Sequence, residues 1–309
     1  MYVIINFLEK IKLKRVPIGS IGAQSVSLPI IEFGSGQPKG VIVSLQHGGE
    51  LSPLWIIKDL IEKSEIIQGT ATIIPVANPF GFILGARNEP IDGKNLNRQF
   101  PGNDQGDFTA RLAASIFKVC QPADFVIDLH TFSRQSPFLA GYNIGNNLSL
   151  QDQAKKIIQL LKPDIIWKVN EGQGDDKRFS GSLDGALAAK GIPSVFIEMP
   201  NYQAIDSKMV TRISNSIQNV FNNFNSLEID KNNIPEFKAK YIFADQAGIF
   251  EPKVSLLEKV KAGQVIGTVS SIPEFDETKI TSSVSGVVMT IKGNDVIRTG
   301  SKIASIGIN

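Results

Sequence analysis

The sequence predicts an α/β protein built on a mostly parallel mixed sheet flanked by helices, followed by a small all-β unit. Three observations carry this. Strand and helix patterns alternate from residue 40 to residue 224. The strands in that stretch are continuous apolar runs such as "GVIVSLQ" and "ADFVIDLH", as expected for strands covered on both faces. After Phe224 the composition changes to an Asn-rich linker, "NSLEIDKNNIPEF", and then to short strands with glycines and no clear helix. The expected division is an α/β domain over residues 1–226, with a β-rich N-terminal part over 1–33, and a β-rich domain over 227–309.

The elements follow in order. Residues 1–33 read as β-rich, from "YVIINF", "KLKRVPI" and "SVSLPIIEF". "GVIVSLQ" is a buried strand. "SPLWIIKDLIEK" is a helix with a Ser-Pro start and apolar residues at Leu54, Ile57, Leu60 and Ile61. "TATIIPVAN" is a strand, and Asn78 to Asp107 reads as a long Gly-, Pro- and Asn-rich loop without an element of its own. Compact domains rarely carry such a loop unless it is functional. A helix ("FTARLAASIFKVC"), a strand ("ADFVIDLH"), a helix ("SLQDQAKKIIQLLK"), a strand ("PSVFIEMP") and a long helix ("DSKMVTRISNSIQNVFNNF") complete this part. In the β-rich tail, "VKAGQVIGTV" and "IRTGSKIASIG" repeat one pattern, which predicts a pseudo-symmetric β module. The module resembles the barrel-sandwich hybrid of biotinyl and lipoyl domains but lacks their modified-lysine tripeptide, so it reads as a structural or assembly unit.

Composition narrows the function classes. The chain has 309 residues, 42% hydrophobic and 20% charged, with a net charge of +2, which suits a globular protein with a sizeable core. No Lys/Arg block points to nucleic acid or an anionic membrane. The N-terminal "MYVIINFL" is too short to span a bilayer and lacks the basic flank of a signal peptide. Cys120 is the only cysteine. No intrachain disulfide can form, a cytoplasmic location is expected, and the thiol reads as a small core residue.

Chemistry concentrates at strand ends. The chain has two histidines. His47 follows "VIVSLQ" and precedes Glu50 by three residues; His130 closes "FVIDL". Imidazole and carboxylate are zinc ligands, and three of them leave a position open for chemistry. Gly48 and Gly49 allow the backbone to bend between His47 and Glu50. In open α/β sheets, sites form at the carboxyl ends of strands. A single His-x-x-Glu or strand-end His is more often structural; the conjunction is what points to a metal. Glu198 ends "SVFIE", where an acid is costly unless exposed, paired or functional. It is a candidate general base with a raised pKa. Arg87 and Arg98 are the arginines of the long loop, candidates for holding an oxyanion or a carboxylate.

The ordered set "HGGE" (47–50), "NPFGFILGAR" (78–87), "DGKNLNRQFPG" (92–102), "DLH" (128–130) and "FIE" (196–198) is similar to the succinylglutamate desuccinylase/aspartoacylase family, a branch of the zinc carboxypeptidase-like fold. The likeness spans about residues 20–225, and the β-rich tail resembles that family's C-terminal module. The resemblance implies one Zn²⁺ on His47, Glu50 and His130, Arg87 at the oxyanion, Glu198 as base, and Asn97 with Arg98 on a substrate carboxylate. One position departs from the pattern. The family usually reads Asp-Leu-Asn-Arg, and this chain has Asn95-Leu96-Asn97-Arg98. The aspartate commonly orients the first zinc histidine; here Asn95 or Asp92 is left for that task. The expectation is a zinc-dependent amidohydrolase that deacylates a small N-acyl amino acid or related compound, without nucleic-acid or membrane partners and compatible with a homo-oligomer. The alternatives are a metallocarboxypeptidase for short peptides and a low-activity metal-binding or assembly protein. Specificity is expected from residues such as Arg134, Lys177, Arg178 and Tyr202.

Overall fold

A computed structural model describes residues 11–64, 67–132, 136–143, 147–170, 174–201, 205–226 and 233–309. The expected strand at residues 2–7, and Arg134 and Tyr202, lie outside them. The strands β1 (Lys12–Ile21), β2 (Gln24–Ser35), β3 (Lys39–Ser44), β4 (Gly69–Ile74), β5 (Phe125–Thr131), β6 (Leu139–Asn143), β7 (Ile165–Val169) and β8 (Ser194–Met199) are joined by helices α1 (Ser52–Glu62), α2 (Pro79–Leu84), α3 (Phe108–Cys120), α4 (Leu148–Leu161), α5 (Leu183–Ala188) and α6 (Ser207–Asn223). Eight further strands follow: β9 (Glu236–Phe243), β10 (Gly248–Pro252), β11 (Lys259–Val260), β12 (Val265–Ser270), β13 (Glu277–Thr281), β14 (Gly286–Ile291), β15 (Asp295–Ile297) and β16 (Lys302–Ile308). Among the described residues no helix is long and apolar enough to cross a membrane.

The main sheet runs β1-β2-β4-β3-β5-β8-β6-β7-β9-β16-β14-β11. Its centre, β4-β3-β5-β8, is parallel, and β6 enters antiparallel to β8. Successive side chains on a strand point to opposite faces, and both faces are covered here. On β5, Phe125, Ile127 and Leu129 pack with α1, α4 and α6, whereas Val126 packs with α3 and α5. The same split puts Ile42 of β3 on the first face and Val41 and Val43 on the second. This two-sided burial is why the central strands are uninterrupted apolar runs in the sequence. Cys120 lies fully buried on the second face, and burial pushes its thiol far above the ordinary range, so it is a core residue.

One sequence expectation changes. The stretch from Asn78 to Asp107 is not free of structure. Asn78 accepts a hydrogen bond from the Gly81 amide, Pro79 occupies the first turn and Gly85 closes α2 at φ +60°; Leu96–Arg98 form one 3-10 turn. These are ordinary start and stop signals on helices too short to show a period. α1 begins at the Ser-Pro pair as the sequence indicates, with Pro53 in its first turn. Ser52 is the first residue of that helix, its hydroxyl donates to the Pro200 carbonyl at 2.7 Å, and Leu51 precedes it without a side-chain cap.

The main sheet continues past residue 226. β9 pairs in parallel with β7, and β16 pairs antiparallel with β9. A second sheet, β13-β12-β10-β15, packs against the outer strands around Phe250, Ile266, Val288 and Ile303. The two copies of the sequence repeat adopt one geometry. Val260 and Ile297 are buried in that core, and Gly263 and Gly300 each turn the chain at φ +81° and +77° before β12 and β16. A positive φ of this kind favours glycine.

Candidate active site

Two adjacent strands aim the site at one point. His130 on β5 is in register with Glu198 on β8 in the parallel pairing, so both side chains leave the same face, the one that Val126 shares with α3 and α5. His47 arrives differently. β3 ends at Ser44, and Leu45 takes φ 52°, a conformation a bulky residue rarely adopts. Leu45 is fully buried and its carbonyl accepts from the Asn78 amide at 3.0 Å, which holds the turn. Gly48 then lies against α2 so closely that a Cβ there would fall 1.9 Å from the Gly81 carbonyl carbon. The glycine is needed for close approach as well as for the bend.

His47, Glu50 and His130 converge, their nearest donor atoms all within 4.8 Å of one another, and all three are buried. The Glu50 carboxylate spans both rings: Oε1 lies 2.7 Å from His47 Nδ1 and Oε2 lies 3.0 Å from His130 Nδ1. The opposite ring nitrogens meet acceptors. His47 Nε2 lies 3.1 Å from Asn95 Oδ1, and His130 Nε2 lies 2.9 Å from Asp128 Oδ2. Asn95 Oδ1 also accepts from the Asn97 amide at 3.0 Å, which fixes which end of the side-chain amide faces the ring. Both nitrogens of each ring thus face acceptors; with Nε2–H on Asn95 and on Asp128, each Nδ1 has a lone pair to turn toward the carboxylate. Acceptors facing acceptors need a proton or a cation between them. A divalent ion at Nδ1, Glu50 and Nδ1 meets that need, and the residues fit such an ion.

The electrostatics agree. Burial alone would raise the Glu50 carboxyl, but the two imidazoles more than offset it and hold it well below its usual range. Burial lowers His47 despite Glu50. For His130 burial also acts downward, but the Asp128 and Glu50 carboxylates overcome it and hold the imidazole well above its usual value. Glu198 is pushed up to about 7, chiefly by burial, with His130 opposing. Its Oε2 is buried without a hydrogen-bond partner among the described residues.

A cavity of about 420 Å³ joins all seven sequence candidates: His47, Glu50, Arg87, Asn97, Arg98, His130 and Glu198. The Arg87 guanidinium lies 3.3 Å from Glu50 Oε1. Asn97 accepts from the Leu183 amide at 2.9 Å, leaving its NH₂ toward His130 at 3.4 Å. Arg98 donates to the Asn97 carbonyl and lies over the Phe179 ring at 5.2 Å. Asn95, not Asp92, faces His47; both Asp92 oxygens accept from Thr109, from its backbone amide and its hydroxyl. Of the expected specificity residues, Arg178 stacks on Tyr241 and Phe243, outside the cavity lining, and Lys177 is exposed.

Sequence reading missed two residues. Asp128 is fully buried and holds His130; Gln46 Nε2 donates to it at 2.6 Å. An acid inside an apolar strand was its signal, the same signal that marked Glu198. Lys302 on β16 lines the cavity from the β-rich tail, and no local pattern announces it.

Fold and cluster together define a carboxypeptidase-like α/β protein with a buried His-Glu-His centre. A metallo-carboxypeptidase from Burkholderia cenocepacia shares the fold at TM-score 0.56 and 14% identity, over 69% of this chain and 64% of that one. The family model for the succinylglutamate desuccinylase/aspartoacylase catalytic domain matches residues 37–223, and the chain belongs to that family of deacylases. Nearly its full length matches the product-bound ectoine utilization protein EutE (DoeB) from Ruegeria pomeroyi, with TM-score 0.83, 20% identity, 97% of this chain and 96% of that chain. The chain is also 32% identical over 127 residues to N-alpha-acetyl-L-2,4-diaminobutyric acid deacetylase from Halomonas elongata, a match covering 39% of this chain and 37% of that relative.

Proposed function

We propose that the protein is a zinc-dependent deacylase that hydrolyses the amide bond of a small N-acyl amino acid or related N-acyl compound. The observation that carries this is the Nδ1–carboxylate–Nδ1 cluster with Glu198 beside it on the next strand, in one cavity. Family membership and the deacetylase relative support the reaction class. His47, Glu50 and His130 are the ligands, and zinc, when bound, polarises the amide carbonyl and makes nearby water acidic.

The remaining steps belong to the chain's own residues. Glu198, with its pKa near the working pH, takes a proton from the attacking water and later gives it to the departing nitrogen. Arg87 brings positive charge beside Glu50, where the carbonyl oxygen gains negative charge. Asn97 and Arg98 hold a substrate carboxylate at the cavity wall. Asp128 and Asn95 keep the two imidazoles in the tautomer that frees Nδ1.

The test is metal analysis of the purified protein together with a panel of N-acyl amino acids and short peptides, run alongside Glu198→Gln. The expected result is about one zinc per chain and deacylation that peptides do not match. Glu198→Gln should keep the metal and lose about 10²–10⁴-fold in kcat. Near-normal turnover by that variant with zinc bound would remove Glu198 as the base.

A further inference from the structure

Lys302 opens β16, the last strand of the chain, yet it lines the same cavity as Glu198 and His130. Its ammonium nitrogen sits 3.9 Å from the centroid of Phe132, 5.3 Å from that of Tyr241 and 5.7 Å from that of Trp167. The other lysine of this wall, Lys292, is paired with Asp295 at 3.3 Å. Lys302 makes no ion pair or hydrogen bond with any described side chain; rings are its neighbours, and the cavity is the space left to it. The ring faces attract an ammonium, but they do not replace the hydrogen bonds it loses on burial, so its charge is better held when an anion joins it. Burial pushes this amine down to about 7, Glu198 opposes the shift, and Arg87, Arg178 and Arg98 add to it. Lys302 thus shares the cavity lining with two further cations, Arg87 and Arg98.

We propose that Lys302 is a specificity-determining residue: its ammonium receives a carboxylate on the part of the substrate that projects toward the β-rich tail, and it excludes an ammonium from that place. The inference rests on the deacylase reading and deepens it. The carboxylate belongs either to the acyl group or to the side chain of the amine. In both cases the β-rich tail completes the substrate pocket, and a substrate with a cationic side chain, such as the one in the deacetylase relative's name, fits this pocket poorly.

The rival explanation is that Lys302 only tunes Glu198 through the field across the cavity. The two differ in what a ligand's charge does. The experiment is calorimetric binding to the metal-free protein, in which nothing is turned over, of N-succinyl-L-alanine, N-acetyl-L-glutamate, N-acetyl-L-glutamine, N-acetyl-L-alanine and Nα-acetyl-L-2,4-diaminobutyrate. The proteins are the native chain, Lys302→Met, which keeps the apolar stem on Phe132, and Lys302→Arg. We expect one of the two extra-carboxylate ligands to bind the native chain about tenfold more tightly than its neutral counterpart, as a charged hydrogen bond does. Which of the two does so tells which arm carries the carboxylate. The diaminobutyrate ligand should bind least well. Lys302→Met should erase this ranking while leaving N-acetyl-L-alanine within about twofold, and Lys302→Arg should restore the ranking, since guanidinium also holds carboxylates. A ranking that survives in Lys302→Met, or that is absent from the native chain, overturns the proposal. Failure of the zinc-loaded protein to cleave any of these compounds would instead count against the deacylase reading and leave the binding result to be judged separately.

Discussion

Replacing Asn95 with aspartate should tighten zinc binding by about fivefold. Asn95 Oδ1 accepts from His47 Nε2 at 3.1 Å and from the Asn97 amide at 3.0 Å. Aspartate is nearly isosteric and keeps both acceptors in place. A neutral hydrogen bond contributes about 0.5–1.5 kcal/mol net and a charged one about 1.5–3 kcal/mol, so the exchange is worth roughly 1 kcal/mol. At about 1.4 kcal/mol per tenfold, that is about fivefold in affinity. The Asn97 contact is the same with and without metal and drops out of the difference. A carboxylate also favours protonated His47, which competes with the metal, so the comparison belongs well above the imidazole's ordinary 6.5, at about pH 8. The assay is competitive titration against a chelator for both forms. Since Thr109 occupies both oxygens of Asp92, no second carboxylate stands ready to mask the gain. Equal affinities, with residue 95 still on His47 Nε2, would refute the argument that the partner's charge strengthens this ligand.

Two further outcomes follow from the same geometry. As the base, Glu198 must be ionised, so kcat/KM should rise with pH; its carboxyl is pushed up to about 7 from an ordinary 4.5, and a bound cation draws it back toward 4.5, which places the acid limb between those values. A limb outside that window in the zinc-loaded protein would mean another group controls the proton. Gly48→Ala should cost more than a surface change, because the new Cβ would meet the α2 backbone at 1.9 Å and neither backbone segment can yield cheaply. A melting curve should show a loss of about 1–3 kcal/mol and a chelator titration a weaker metal site; unchanged values in both would mean that α2 moves freely.

What the sequence revealed, it revealed through burial. β3, β5 and β8 are covered on both faces, so they read as apolar runs, and the polar residues that end them stood out: His47, His130 and Glu198. Asp128 is no less visible by that logic, an acid in "FVIDLH", but it is two residues from a histidine that already explained the motif. α2 hid in its loop because six residues give no helical period, although Asn78, Pro79 and Gly85 mark its ends. Lys302 could not be found locally. Its role depends on β16 pairing with β9, and β9 with β7, a chain of contacts between segments far apart in sequence. The repeat that contains Lys302 explains its turn, through Gly300, but not its destination.

That destination bears on why the β-rich tail shares a sheet with the catalytic strands. From β8 to β16 the sheet crosses β6, β7 and β9, four intervals of about 4.8 Å. Those intervals alone set the two strands roughly 19 Å apart across the sheet, yet Glu198 and Lys302 line one cavity of about 420 Å³. Side chains reaching inward from both strands and from β6 and β7 between them enclose that space. Three strands beyond β8 add to the wall: Asn143 from β6, Trp167 and Val169 from β7, and Lys302 from β16. Trp167 packs edge-on against Phe196 of β8 and lies 6.1 Å from Tyr241 of β9, linking these strands through side chains. An independent module hinged on a linker would leave the distance between base and ammonium free to vary. A shared hydrogen-bonded sheet fixes it, and the width of the pocket becomes a property of the whole chain rather than of the catalytic strands alone.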